Sequence, residues 1–183
     1  VLSGALALPE EAEERAMYDL TLRRLAQAGF VQYEISNFAK PGYACQHNLG
    51  YWRQTPYLGL GPSAASMLPG RRAGEFCYRR TNVRDLAAYL HQAEKGLFTP
   101  AEEESVSMTD ARFETMMLGL RTTRGVSAET FVQLYGISLD KAYGAKLRAL
   151  AAQGLVEQAD GWWRLTRRGM DVQNAVLVEL MED

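Results

Sequence analysis

The sequence predicts an α/β region reaching to about Pro100 and a mostly helical α+β domain after it. Three observations carry that reading. The chain opens on a helix, a glycine and a strand, the succession from which parallel α/β sheets are built. The acidic stretch "PAEEESVS" then reads as a linker. Beyond it the texture changes to capped helices with glycine stops, interrupted by one hairpin.

The elements follow in order. Pro9, Glu10 and Glu11 open the first helix, because proline and acids suit a first turn whose N–H groups are unpaired. Ala16, Leu20, Leu22 and Leu25 are its expected apolar face, and Gly29 its end. "FVQYEIS" follows as a strand, with Phe30, Val31, Tyr33 and Ile35. "NFAKPGYACQHNLGYWRQTP" reads as one long loop, of the kind that is functional or mobile in a compact domain. "YLGLG" reads as a short buried strand, and "AASMLPGRRAGEFCYRRT" as a hairpin turning near Pro69–Gly70. Asn82 is the expected cap of a helix through Val83, Leu86, Tyr89 and Leu90, stopped by Gly96.

After the linker, "MTDARFETMMLGLRTT" predicts a helix. "SAETFVQLYG" predicts a second, capped by Ser127 and closed by Gly136. "SLDKAYGAKLRALAAQG" predicts a third, closed by Gly154. "LVEQADGWWRLT" is a hairpin turning at Asp160–Gly161. Thr166 caps a last helix to Met181. Helices, a two-stranded wing and a closing helix make a winged-helix-like arrangement. The regions are therefore 1–100 and 101–183.

Composition narrows the function. The chain has 183 residues, 47% hydrophobic and 23% charged, as in an ordinary globular protein. A net charge of −2 argues against binding nucleic acid by bulk attraction. From Ser138 to Arg168 the basic excess is modest: Lys141, Lys146, Arg148, Arg164, Arg167 and Arg168 against Asp140, Glu157 and Asp160. A winged-helix nucleic-acid module is therefore an alternative, but no nucleic acid is the expectation. No apolar run approaches a membrane span. The first residues have neither an initiating Met nor a basic leader, so a piece of a longer chain is expected. Cys45 and Cys77 make no disulfide framework, which points to a reducing, cytoplasmic setting. Cys45 is expected to be a buried free thiol.

One short stretch concentrates chemistry. "HNLGYW", from His47 to Trp52, places an imidazole, an amide, a phenol and an indole within six residues. An imidazole can ligate a metal, and aromatic rings beside it can line a binding surface. The competing reading makes His47 a hydrogen-bonded loop residue and Tyr51 and Trp52 anchors in the core. Asn48 suits a tie on the backbone.

"YEISNFAKPG", "HNLGYW", "YLGLGPSAAS" and "GLVEQ…WRLTRRGMDVQNAVLVEL" together resemble the oxygen-independent coproporphyrinogen III oxidase-like (HemN/HemW) family of radical SAM proteins. The likeness is greatest to its haem-chaperone members, which carry an HNxxYW motif. His47, Asn48, Tyr51 and Trp52 match that motif position by position. The resemblance implies the last elements of a partial radical SAM barrel followed by the family's C-terminal domain. It implies haem binding at those four residues, with His47 on the metal, and delivery of haem to an apo-protein. It also implies S-adenosylmethionine and a 4Fe-4S cluster in the parent protein. The CxxxCxxC that binds the cluster is absent here, so this chain alone is not expected to be catalytic. The alternative activity in the same family is an oxidase that decarboxylates propionates to vinyl groups.

Further residues follow from the resemblance. Gly59, Gly61 and Ala65 in "GLGPSAAS" would border the S-adenosylmethionine cavity; Ala65 stands where relatives often carry a larger residue. Tight strand packing is the plainer account of the glycines. Arg71, Arg72, Arg79 and Arg80 could contact tetrapyrrole propionates in two-pronged fashion, or form a solvated face. Peripheral membrane association of the parent, and self-association of this chain through the edge of "FVQYEIS", complete the expectations.

Overall fold

The structure, a computed structural model, describes residues 8–181. It divides into two compact units, Val1–Cys45 and Gln46–Asp183. The boundary expected near Pro100 falls inside the second.

In the first unit, helix α1 spans Glu11–Gln27. The Glu13 carboxylate accepts from the Glu10 N–H at 3.3 Å, which satisfies one of the unpaired donors of the first turn. Gly29, at φ +80, ends the helix, and the Phe30 N–H donates to the Leu25 carbonyl at 2.9 Å. The apolar stripe differs from expectation. Tyr18, Leu22 and Leu25 are half-buried, whereas Ala16 and Leu20 are exposed. Positions 20 and 22 are two apart and cannot share a helix face.

The expected strand "FVQYEIS" is short, and its partner is antiparallel. Strand β1 (Val31–Gln32) pairs with β2 (Phe38–Ala39). The cause is Glu34, which is wholly buried. Its carboxylate accepts from the Ser36 N–H at 2.7 Å and from the Asn37 amide at 2.5 Å. The Tyr33 N–H donates to the Asn37 carbonyl, so the chain doubles back before a longer strand can form.

The second unit begins with helix α2 (Gln46–Trp52), where a loop was expected. The Tyr57 backbone then bridges Met67, the only strand-like pairing of "YLGLG". That segment is not a buried strand: Leu60 is 79% exposed. Its backbone polar groups are taken by side chains instead. Ser66 Oγ accepts from the Gly59 N–H, and the Asn82 amide donates to the carbonyls of Gly59 and Gly61. Asn82 is thereby used up, and Asp85 caps helix α3 (Leu86–Glu94) in its place.

The predicted hairpin forms from β3 (Ala65–Pro69) and β4 (Glu75–Thr81). The expected linker is in fact its third strand, β5 (Glu102–Ser107), which gives the antiparallel order β3-β4-β5. Three glutamates suit this edge because Arg79 and Arg80 stand opposite Glu104 and Glu103. Met67, Cys77, Val106 and Ala111 form the core beneath this sheet.

Helix α4 (Met108–Gly119) leads to β6 (Val126–Ser127), α5 (Ala128–Tyr135) and α6 (Leu139–Ala152). Ser127 caps α5 as expected, and Ser138 caps α6 in the same way. The hairpin β7 (Val156–Ala159) and β8 (Trp162–Leu165) turns at Asp160–Gly161, both at positive φ. The sheet order is β6-β8-β7. Phe131, Tyr143, Leu147, Leu165, Val176 and Leu180 are among the residues of the core it covers.

The single last helix is two: α7 (Arg167–Asp171), capped by Thr166, and α8 (Gln173–Leu180). The backbone leaves the helical region at Val172, where φ is −122. Gly169 packs so closely that a Cβ there would lie 1.9 Å from the Leu155 carbonyl oxygen. No described helix is long and apolar enough to cross a membrane.

Candidate functional site

"QHNLGYW" folds as α2 because its one large aliphatic residue, Leu49, points into the protein and is buried. His47 and Tyr51, four apart, then share the outward face. Their rings meet edge to face with centroids 4.8 Å apart. Tyr51 meets Tyr57 in the same way at 4.9 Å. Trp52 is half-buried, and the Arg121 guanidinium lies 4.7 Å above its ring. Its indole N–H is buried and has no hydrogen-bond partner among the described residues. Asn48 is half-buried. The structure therefore presents His47 and Tyr51 to solvent and turns Trp52 inward.

Two residues at α2 escaped the sequence reading. Arg121 is one. The other is Gln54, buried at φ +52, whose amide meets Glu114 and Thr115 of α4. A polar residue after a motif carries no signal of such a contact.

Gly59 and Gly61 have backbone reasons to be glycine. A Cβ at Gly59 would lie 2.1 Å from the Ala65 carbonyl oxygen, and Gly61 sits at φ +106. The Tyr89 hydroxyl accepts from the Gly61 N–H at 2.9 Å, so this loop is rigidly held. Ala65 is exposed at the start of β3.

The four arginines do not share one face. Arg79 and Arg80 are neighbours on a strand and point to opposite sides of the sheet. Arg79 is paired with Glu114, which raises its pKa. Arg71 is paired with Glu103 and stacks over Tyr78 at 3.8 Å. Arg72 is exposed in the turn, and its N–H donates to Glu75 at 3.1 Å. Arg80 is half-buried, with its Nε unpartnered among the described residues.

Cys45 is exposed rather than buried; Cys77 is the buried thiol, its pKa pushed up by burial. Among the described residues no group of three or more His, Cys, Asp or Glu side chains could hold a metal ion. A cluster-binding set is thus not found in them. His47, by contrast, fits a single axial bond: an exposed imidazole with an aromatic ring beside it.

Residues 106–172, from the end of β5 through α7, match the model of the HemN C-terminal domain. Over those residues the chain is similar to the HemN C-terminal domain. The resemblance read from the motifs is borne out. The chain is similar to the heme chaperone HemW of Bacillus subtilis, 37% identical over 94% of this chain and 44% of that protein. HemW of Synechocystis is 39% identical over 74% of this chain and 31% of its own length. Radical S-adenosyl methionine domain-containing protein 1 of Bos taurus, a mitochondrial protein, is 30% identical over 99% of this chain and 42% of its own. The chain thus spans less than half the length of these relatives. Among solved structures, Escherichia coli coproporphyrinogen III oxidase (HemN), a radical SAM enzyme, aligns at a TM-score of 0.65. That alignment covers 94% of this chain and 42% of HemN at 16% identity, and so shows a shared fold.

Proposed function

We propose that this chain is the C-terminal part of a HemW-like radical SAM protein that binds haem at α2 and hands it to an apo-protein. His47 supplies the axial imidazole, Tyr51 lies against the porphyrin, and Asn48 and Trp52 hold the helix in place. The observation that carries the reading is the outward-facing His47–Tyr51 pair on a helix pinned to α4. Similarity to heme chaperones over almost the whole chain supports it. The likeness to the oxidase is one of fold and brings no activity with it.

Within this reading, residues 101–183 form a winged-helix-like domain. The order of α4 to β8 and the sheet order β6-β8-β7 support it. The preceding region is the end of the parent's barrel. S-adenosylmethionine and the 4Fe-4S cluster belong to the parent, with Gly59, Gly61 and Ala65 at the edge of that cavity. The propionates fall to Arg72 and Arg80, since Arg71 and Arg79 already hold carboxylates.

Haemin titration followed at the Soret band tests the reading. The chain should shift the band, and His47→Ala should weaken binding by roughly tenfold or more, as loss of a metal ligand's support does. The loaded chain should then transfer its haem to a haem-free acceptor. A variant that titrates like the parent removes His47 from the role.

A further inference from the structure

Helix α2 has only seven residues, fewer than a helix needs for stability in isolation. Its direction is therefore set by what grips it. Leu49 is buried, and Trp52 lies under Arg121. The third grip comes two residues past the helix. Gln54 is 6% exposed and sits at φ +52. A non-glycine residue in that region is strained and persists only where its surroundings over-determine it.

The surroundings here do so at both ends of the amide. Gln54 Nε2 donates to Glu114 at 3.3 Å, and Gln54 Oε1 accepts from the Thr115 hydroxyl. With its proton given to Gln54, the Thr115 hydroxyl accepts from the Tyr135 hydroxyl 2.6 Å away. Glu114 is itself held by Arg79 of β4. One part-buried network thus fastens the end of α2 to α4, α5 and β4. A glutamine amide suits this place because it donates to a carboxylate and accepts from a hydroxyl at once.

The geometry points to Gln54 as a positioning residue for haem: its clamp sets the angle at which His47 and Tyr51 are presented to the porphyrin. The role rests on the haem reading of α2, but the clamp can be tested without haem. Gln54→Gly removes the amide and relieves the backbone, since glycine takes positive φ freely, so the fold should survive. Thr115→Val breaks the same clamp from α4. In the haem-free chain both variants should speed amide exchange in α2 roughly tenfold and leave α6 unchanged. Both should weaken haemin binding roughly tenfold and alter the Soret band. In a His47→Ala background, Gln54→Gly should add a smaller loss than it causes alone.

Unchanged exchange in α2 would overturn the clamp. Unchanged affinity and spectrum, or an equal further loss in the His47→Ala background, would overturn the positioning role. If α2 exchange responds but His47→Ala leaves haem binding intact, the haem reading fails, and the positioning role with it, while the clamp itself stands.

Discussion

Tyr135 joins the two hydrophobic cores of the second unit, stacking on Phe76 on one side and packing against Phe131 on the other. Burial pushes its phenol from the ordinary value of 10 up to about 12. Below pH 10, folded and unfolded chains both keep the proton, and nothing changes. Between pH 10 and 12 the unfolded phenol ionises while the folded one does not. Stability therefore falls as pH rises through that window, by about 2 kcal/mol near its top. Urea midpoints should show Tyr135→Phe losing part of that alkaline fall; an identical fall in the variant would contradict the assignment. At this scale the sequence brought His47 and Tyr51 into one short motif, and the structure sets their rings edge to face on an exposed helix face. The sequence was silent on Gln54, because neither a left-handed glutamine nor a partner sixty residues away leaves a local pattern. Burial was also misjudged for one thiol: Cys45, expected to be buried, is exposed, whereas Cys77 of β4 is the buried one.

Elements after Met108 were largely legible, because each has its own cap, stop or turn: Ser127 and Gly136 for α5, Ser138 for α6, Asp160–Gly161 for the hairpin. Elements that depend on distant partners were not. Strand β5 looks like a charged linker until Arg79 and Arg80 stand opposite its glutamates. Helix α2 looks like loop until Leu49 is buried. The strand "FVQYEIS" yields to the turn made by Glu34. These contrasts have a dynamic consequence. Among described residues up to Cys45 only Glu34 is buried, and β1 and β2 are two residues each. Helices α4 and α6 instead pack Met116, Tyr143 and Leu147 at full burial. Amide exchange should therefore be slow in α4 and α6 and fast from Val31 to Cys45. Comparable protection in both stretches would show that burial does not rank these elements.

For the whole molecule, the resemblance was legible from a few motifs, and the match at 106–172 bears it out. The parallel sheet was not, because the strand partners formed here are antiparallel throughout. The proposed contribution of this chain is a haem site presented by α2 and steadied by the contacts of Gln54 with α4. The central claim is an iron–imidazole bond at His47. Resonance Raman spectroscopy of the ferrous haem complex tests it most directly. The full chain should show an iron–histidine stretch, His47→Gly should lose it, and free imidazole added to that variant should restore it. A stretch that persists unchanged in His47→Gly without imidazole would contradict the claim.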